Sequence, residues 1–205
     1  MLGPRIAGRD GIALAPSTLD DFKLYPRWAA QPEITYFWGP RAGNWIDAVT
    51  EERFREAAKN ARQIHWSIQL DGRTIGFTGI DDIDWIRRQG ESYIIIGEAG
   101  LHGRGIASEV VRLRTRFAFR ELNLHRIYNY IVYDNVGSRR ANEKAGYHEQ
   151  GRFPQVFRRG PRRHDDWLGE ILRTDWEREQ ATDESGSDPS HRVGTEERPR
   201  DPLRK

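Results

Sequence analysis

A pair of glycines, Gly103 and Gly105, follows an apolar segment and precedes a helical pattern. Because glycine lacks a Cβ atom, the backbone at these positions can turn sharply and come close to a ligand. The unpaired N–H groups and the positive dipole end of the following helix would point at the same turn. Together these features predict an anion site suited to a pyrophosphate.

The glycine pair also has a plain structural interpretation, as a strand-to-helix connection that happens to use two glycines. Spacing excludes two nucleotide-binding motifs. The sequence has no G-x-x-x-x-G-K-[ST] segment, and Ser108 stands where the G-x-G-x-x-G fingerprint needs its third glycine. The turn alone therefore leaves its ligand undecided.

The segments before and after the turn have different patterns of apolar residues. Glu91–Gly97 is apolar and β-branched without alternation, which predicts a central strand buried on both faces. The apolar stripe of the helix after the turn consists of Ile106, Val110, Leu113 and Phe117. Its spacing predicts a helix that packs one face on a sheet.

Other segments complete the expected order of elements. Ser17 is expected to cap a first helix, and Thr50 is expected to begin a second one through Arg62. A turn at Asp71-Gly72 predicts a hairpin. Helices between strands in the middle of the chain and hairpins at both ends predict a mixed α/β sheet.

Several motifs in a fixed order point to a family. They are Gly103–Glu109, Asn123–Ile127, Asn135–Ser138 and Glu143–Tyr147, with Pro32–Thr35 before them and Asp165–Leu168 after them. This set resembles the GNAT N-acetyltransferases, and within them the branch of ribosomal-protein N-terminal and spermidine acetyltransferases. The resemblance covers roughly residues 10–175. It implies a single α/β (α+β) domain with a mixed, mostly antiparallel sheet, helices on both faces and a splayed central strand pair.

The resemblance implies acetyl-CoA as co-substrate and no metal. It places the cofactor on Ile94, Ile95, Ile96, Leu101, His102, Gly103, Arg104, Gly105, Ile106 and Asn135. The loop amides would hold the pyrophosphate, and the strand would pair with the pantetheine arm. Asn135 and Ser138 fall where the family has an amide and a hydroxyl near the thiol, although a helix cap and a first-turn residue would also explain them.

Two positions depart from the family pattern. Gly100 stands where a Gln or Arg usually opens the pyrophosphate motif, which removes a side chain but no backbone donor. Asn142 stands where many members have a Tyr that protonates the leaving thiolate, and an amide cannot serve as that acid. Ser138 is the candidate substitute, with water as the alternative.

Acetyl transfer to an amine needs a group that removes the ammonium proton. Glu91 is the first candidate base, because this branch often has an acidic residue there; the alternative is a solvated carboxylate at a strand end. Glu33 is a weaker candidate. Histidine side chains can act as bases at neutral pH, which makes His65 and His125 further candidates, but His125 occupies a family position that is expected to be structural.

Aromatic residues crowd the region expected to contact the acceptor: Trp28, Tyr36, Phe37, Trp38 and Trp45, with Trp66 and Trp85 further on. They would suit a sugar ring, a flat molecule or an alkylammonium group. They would equally serve as core, which is the default for any single Trp.

Composition sets the remaining expectations. The chain has 205 residues, a formal charge of +2 and no cysteine, which excludes disulfides, thiolate metal sites and a cysteine nucleophile. Arginine clusters could indicate an anionic ligand, but no nucleic-acid-binding module is recognised. We find no apolar leader and no membrane-spanning window, so a cytoplasmic protein is expected.

The expected organisation is a flexible N-terminus (1–9), an acetyltransferase domain (10–178) and a disordered charged tail (179–205). The expected function is transfer of acetyl to the primary amine of a small molecule by direct attack in a ternary complex. Acetylation of a protein N-terminus and a non-catalytic acyl-CoA-binding module are the alternatives. Nucleic acid and membrane are not expected as partners, and the protein is expected to be a monomer or a homodimer.

Overall fold

The computed structural model describes residues 1–38 and 47–186, except for the side chains of residues 47–48 and 183–186. The strands are β1 (Ile6–Ala7), β2 (Ile12–Pro16), β3 (Ile64–Leu70), β4 (Arg73–Asp84), β5 (Gln89–Ile96), β6 (Arg126–Val132), β7 (His148–Arg159) and β8 (Arg162–Leu172). The α-helices are α1 (Leu19–Phe22), α2 (Tyr25–Ala29), α3 (Pro32–Thr35), α4 (Asp47–Lys59), α5 (Ile106–Arg120), α6 (Val136–Glu143) and α7 (Arg173–Gly186).

All eight strands form one sheet in the order β1-β2-β3-β4-β5-β6-β8-β7. Every pairing between adjacent strands is antiparallel except the one between β5 and β6. The chain reaches β6 from β5 through α5, as a parallel connection requires. The expected mixed, mostly antiparallel sheet is confirmed.

The parallel pair separates soon after it starts. Its register joins Gln89 to Arg126, Gly90 to Ile127 and Glu91 to Tyr128, and no later residues of the two strands pair. Ser92–Ile96 and Asn129–Val132 therefore diverge, and we call these two segments the fork. The predicted splay of the central strands is confirmed, and Glu91 is the last residue of β5 that pairs with β6.

Two apolar clusters cover the two faces of the sheet. The larger one packs α5 and α7 on one face and includes Trp66, Leu113 and Trp176. The smaller one packs α1, α2 and α4 on the other face, around Phe22 and Phe77. Because neighbouring strand residues point to opposite faces, Ser92 and Ile94 lie on the α5 face, and Glu91, Tyr93 and Ile95 lie on the other.

Two helices begin at residues other than those predicted. Thr18, not Ser17, caps α1: its hydroxyl accepts from the backbone N–H of Asp21, and the Asp21 carboxylate accepts from the backbone N–H of Thr18. Ser17 is buried and bonds to His65 instead. The helix that was predicted to begin at Thr50 is α4, and it begins at Asp47, so that Thr50 is buried inside it.

The N-terminal nine residues are ordered, against the expectation of a flexible segment. The Met1 ammonium group donates to the carbonyls of Ala57, Asn60 and Gln63 at 2.6–2.7 Å. The short strand β1 then adds an edge to β2. Backbone hydrogen bonds fix this segment, and such bonds need no apolar periodicity.

The helix α7 extends eight residues into the segment expected to be disordered. Trp176 anchors this helix, because it is buried with its ring 5.6 Å from that of Phe119. The guanidinium of Arg120 lies 5.3 Å from the same indole. Residues 187–205, the rest of the predicted tail, lie outside the described part of the chain.

Candidate active site

A cleft of about 1040 Å³ opens at the fork. Its walls come from α4 on one side of the sheet and α6 on the other, with β4, β5 and β6 between them. The separation of β5 from β6 creates this opening, since two paired strands would leave no space between them. Most of the polar side chains described below line it.

The turn before α5 has the backbone that the glycine pair predicts. Gly103 and Gly105 both have left-handed backbones, with φ of 76° and 80°. A Cβ atom added at either position would meet no atom within 4 Å, so the space in front of the turn is open. No side chain caps the N-terminus of α5, which leaves its first N–H groups available to an anion.

The other predicted cofactor residues divide into three groups. Ile94 and Ile95 line the cleft, and Ile96 packs against the larger core cluster. Leu101 and Ile106 are buried in that cluster, so only their backbone atoms could meet a ligand. His102 and Arg104 are exposed around the turn.

The strand β5 is less buried than predicted. The three isoleucines Ile94, Ile95 and Ile96 are only half-buried. The prediction of a strand buried on both faces assumed a paired neighbour on each side, but β6 has already diverged here. The open edge of β5 therefore offers backbone donors and acceptors to an extended ligand, and the open turn accommodates its phosphates. These residues fit CoA.

Glu91 lies at the apex of the fork. It is half-buried, lines the cleft and pairs with Asp81 of β4 on one side and with Tyr128 of β6 on the other. Burial raises the pKa of the Tyr128 phenol, and the charge of the nearby Glu91 adds to the rise. A carboxylate is thus held where the two strands separate.

Asn135 and Ser138 lie together at the start of α6, and both line the cleft. The Asn135 side-chain oxygen accepts from the backbone N–H of Ser138 at 3.2 Å, so this amide caps the helix. The half-buried Ser138 places its hydroxyl in the first turn. Asn135 can both cap α6 and line the cleft, because the cap uses only its side-chain oxygen.

Asn142 has a structural role that the sequence did not reveal. It is buried, and its amide nitrogen donates to the carbonyl oxygen of Ser138 at 2.9 Å. Its side-chain oxygen accepts from the Asn129 amide nitrogen at 2.7 Å. The position where the family has a phenol is here part of a hydrogen-bonded amide chain.

The side of the cleft that is expected to contact the acceptor is aromatic, and we call it the acceptor wall. Tyr25 stacks on Phe77 with ring centroids 4.1 Å apart and planes 5° from parallel. Trp38 also stacks with Tyr25, with ring centroids 5.8 Å apart. Burial raises the pKa of the Tyr25 phenol, the charge of Asp81 raises it further, and Arg53 opposes the rise.

His65 supports this wall from inside the sheet. Its Nε2 lies 3.3 Å from the Tyr25 hydroxyl, and its Nδ1 lies 2.8 Å from the Ser17 hydroxyl. Burial lowers the pKa of His65 to about 3, with a further contribution from the N-terminal charge, although Asp21 opposes the shift. The imidazole is therefore neutral at physiological pH and fixes the position of Tyr25.

The predicted aromatic residues serve different purposes. Trp28 is core, because it is buried and packs against Gly97. Phe37 and Trp38 line the cleft. Tyr36 is exposed beneath the guanidinium of Arg159. Trp45 lies outside the described residues.

Charges of both signs line the cleft. The carboxylates are Glu52, Glu56, Asp81, Glu91 and Asp166, and the cations are Arg53, Arg55, Lys59 and Arg114. Glu33 and His125 are exposed and do not line the cleft. Within the described ranges, no group of three His, Asp or Glu side chains is placed to bind a metal, and no helix is long and apolar enough to cross a membrane.

Three buried polar residues of the cleft were not predicted from the sequence: Ser92, Arg114 and Asn129. Arg114 had a visible signal, since it follows Val110 by four residues and so interrupts the apolar stripe of α5. Ser92 and Asn129 are single polar residues within strands, and nothing in their spacing links them.

Comparisons with known proteins agree with this geometry. A family model described as an acetyltransferase (GNAT) domain matches residues 12–148. The Bacillus subtilis protein named "Probable N-acetyltransferase YjcK" is 50% identical over 50 residues, which are 24% of this chain and 28% of that protein. A spermidine N(1)-acetyltransferase of Vibrio cholerae is 30% identical over 124 residues, covering 60% of this chain and 71% of that enzyme.

A solved structure shares the fold at lower identity. The crystal structure of spermidine N-acetyltransferase from Vibrio cholerae, in complex with CoA and spermine, superposes with a TM-score of 0.73 and 21% identity. The match covers 81% of this chain and 98% of that one. With the family model matching most of the chain, and with a fork and an open glycine turn in place, the chain belongs to the GNAT acetyltransferase family and is an acetyl-CoA-dependent N-acetyltransferase.

Proposed function

We propose that this protein acetylates the primary amine of a small molecule by direct attack on acetyl-CoA in a ternary complex. The observation that supports this most strongly is the position of Glu91. It lies at the apex of the fork, on the aromatic face of the sheet, where the cofactor edge and the acceptor wall meet. A base there would reach an amine presented to a thioester held along β5.

On the cofactor side, backbone atoms would do most of the binding. The N–H groups around Gly103 and Gly105 and at the start of α5 would hold the pyrophosphate. The open edge of β5 at Ile94–Ile96 would pair with the pantetheine arm. The cofactor supplies an activated acetyl thioester, and these contacts would fix its carbonyl at the fork.

On the acceptor side, Glu91 would take the proton from the substrate ammonium group and pass it to solvent. The neutral nitrogen would then attack the carbonyl carbon and form the C–N bond. The C–S bond would break with its electron pair on sulfur, and the nitrogen would lose its second proton to solvent. Holding both reactants in one cleft converts a bimolecular reaction into an effectively unimolecular one. Because the chain has no cysteine, a thiol acyl-enzyme is not part of this scheme.

The aromatic wall and the carboxylates favour an acceptor that combines an alkyl or ring portion with an ammonium group. Cationic heads are attracted to aromatic faces such as those of Tyr25 and Trp38. Polyamines belong to this class, and the Vibrio cholerae sequence and solved structure described above are both named for spermidine. Because the cleft also contains cations, amino sugars and other aminated metabolites are tested beside the polyamines.

The test is acetyl-CoA turnover against a panel of amines, measured as release of free thiol. The panel contains spermidine, spermine, amino sugars, amino acids and a short peptide with a free N-terminus. Turnover of a small amine with a kcat/KM at least about 10-fold above that of the peptide supports the proposal. Preference for the peptide would assign protein N-terminal acetylation, and CoA binding without any turnover would assign a binding module.

A further inference from the structure

A buried amide chain fixes the hydrogen-bond directions on the α5 face of the fork. The chain starts at the backbone carbonyl of Ser138, which can only accept, so Asn142 must present its NH₂ group to it. The Asn142 oxygen then faces Asn129, which must in turn present its own NH₂ group, at 2.7 Å. The remaining hydrogen of that Asn129 nitrogen points to the Ser92 hydroxyl oxygen, 3.4 Å away.

Arg114 approaches the same hydroxyl from the helix. Its Nη2 donates to the Ser92 oxygen at 3.0 Å, while its Nη1 donates to Thr78 at 2.8 Å and to the Tyr93 carbonyl at 2.6 Å. A guanidinium group has no acceptor, so the direction of these bonds is certain. Only 1% of the Arg114 surface is exposed.

The Ser92 hydroxyl can therefore act only as a hydrogen-bond donor to a further group. A hydroxyl has two acceptor lone pairs and one donor hydrogen, and here two obligate donors occupy both lone pairs. Within residues 1–38 and 47–186, the Ser92 hydroxyl donates to no acceptor. Ser92 lines the cleft at the first position of β5 that no longer pairs with β6, and only 3% of its surface is exposed.

The cluster also places a permanent positive charge at the fork. No carboxylate forms an ion pair with Arg114 in the described part of the chain. Burying a cation this way is unfavourable unless an opposite charge develops beside it. Its Nε and the Asn129 side-chain oxygen are likewise buried without a hydrogen-bond partner. The arrangement is suited to an anion that forms only transiently.

We propose that Ser92 is a catalytic residue that donates a hydrogen bond to the departing CoA thiolate, and that Arg114 and Asn129 position and polarise it. This inference rests on the proposed function and assigns a further residue to it. Glu91 and Ser92 are adjacent on β5 and point to opposite faces. One residue thus receives the amine proton, and the other stabilises the leaving group.

The step balances without a further reactant. As the C–S bond breaks, its electron pair moves to sulfur, and the Ser92 O–H shares its hydrogen with the new thiolate. The hydroxyl keeps its proton, because an alkoxide beside a thiolate would be far less stable. The thiolate is protonated by solvent when CoA leaves. Of the two protons that the ammonium nitrogen loses, the first goes to Glu91 before the attack, and the second goes to solvent as the C–S bond breaks.

The test measures the thiol pKa of CoA bound to the protein, from the ultraviolet absorbance of the thiolate across pH. Binding is first measured at neutral pH by calorimetry, so that failure to bind CoA would contradict the proposed function rather than this inference. In the wild-type protein we expect the thiol pKa to fall by about one pH unit or more below that of free CoA. An unshifted thiol pKa in the wild-type complex would overturn the assignment, whatever the variants do.

The variants separate a catalytic from a structural role. Ser92→Ala should return the thiol pKa to that of free CoA and lower kcat by about 10-fold or more, while the Kd of acetyl-CoA stays within about twofold. Ser92→Thr keeps the hydroxyl and should restore the shift. Ser67→Ala is the matched control, because Ser67 of β3 is also buried and hydrogen-bonded in the same sheet but does not line the cleft.

Two more substitutions test the charge and the rival hydroxyl. Arg114→Gln should reduce the shift, whereas Arg116→Gln, which removes a charge from the same helix away from the cleft, should not. If Arg114→Gln does not fold, Arg114→Lys provides the charge without the planar guanidinium group and should retain part of the shift in the thiol pKa. A shift that survives Ser92→Ala and disappears in Ser138→Ala would assign the role to Ser138 and overturn the proposal.

Discussion

The two sides of the fork offer different kinds of atoms to a ligand. On the cofactor side, the turn at Gly103 and Gly105 and the edge of β5 present backbone groups, and the nearest apolar side chains are turned into the core. On the acceptor side, the groups are side chains from several elements, such as Tyr25, Asp81 and Glu91. A backbone site depends on local conformation, whereas a side-chain site depends on which distant residues the fold brings together.

This difference predicts that substitutions on the two sides affect separate quantities. Changes at the turn should alter cofactor affinity and leave the chemistry at saturation intact. Changes at the acceptor wall should alter turnover or wall stability and leave cofactor affinity intact. Four experiments test this separation, in order of decreasing expected effect.

Glu91→Gln should lower kcat by on the order of 100-fold, which is a typical contribution of a general base. The variant retains the size and hydrogen-bonding capacity of the side chain but cannot take a proton. The Kd of acetyl-CoA, measured by calorimetry, should be unchanged. Glu149→Gln, in an exposed strand position away from the cleft, is the control. Normal kcat in Glu91→Gln would remove Glu91 from the mechanism.

His65 should make the acceptor wall sensitive to acid. Its pKa is about 3 in the folded protein, below the ordinary value of 6.5, so the unfolded chain binds a proton first as pH falls. The stability contributed by the neutral imidazole is complete above pH 6.5 and is lost progressively towards pH 3. Between pH 7 and pH 5 the free energy of unfolding should fall by about 2 kcal/mol for this reason.

The measurement is the free energy of unfolding in denaturant at pH 7 and at pH 5. His65→Gln, which can still hydrogen-bond to Ser17 and Tyr25, should lose most of this pH dependence. His125→Gln, at an exposed position, should keep it. Equal pH slopes in the wild type and His65→Gln would show that the buried histidine is not the cause.

Gly103→Val should weaken CoA binding by about 10-fold, since a left-handed backbone costs a residue with a Cβ atom roughly 1–2 kcal/mol. The added side chain would also occupy the open space in front of the turn. At saturating acetyl-CoA, kcat should remain near normal. Gly160→Val is matched, because Gly160 has a φ of 58° with open space around it, in the β7–β8 turn. If both variants bind CoA normally, the turn does not hold the phosphates.

Deletion of residues 187–205 should have the smallest effect, less than about 0.5 kcal/mol in the free energy of unfolding. The segment has only Val193 and Leu203 as aliphatic residues, which is little apolar surface to bury. The KM for the amine should also be unchanged. A lower melting temperature together with a raised KM would mean that this segment completes the acceptor side.

Much of the cofactor side could be predicted from the sequence, because its signals are local. The left-handed glycines, the start of α5 and its apolar stripe lie within about one segment of chain. The Asp71-Gly72 turn, with φ of 50° and 80°, is equally local and was found. The order of the N-terminal residues and the extension of α7 were missed, because the carbonyl groups that bind Met1 and the ring that packs on Trp176 lie far along the chain.

The sequence by itself determined the family, the sheet class and the loop that would meet a phosphate, since conformation at glycines and helix periodicity are properties of neighbouring residues. Only the tertiary structure decided that Ser92, Arg114, Asn129 and Asn142 form one cluster. Hydrogen bonds among them span 13 to 37 positions of the chain, so no spacing rule relates them. Their arrangement exists because β5 and β6 diverge beneath α5, and a buried donor or acceptor must then find its partner within the fold.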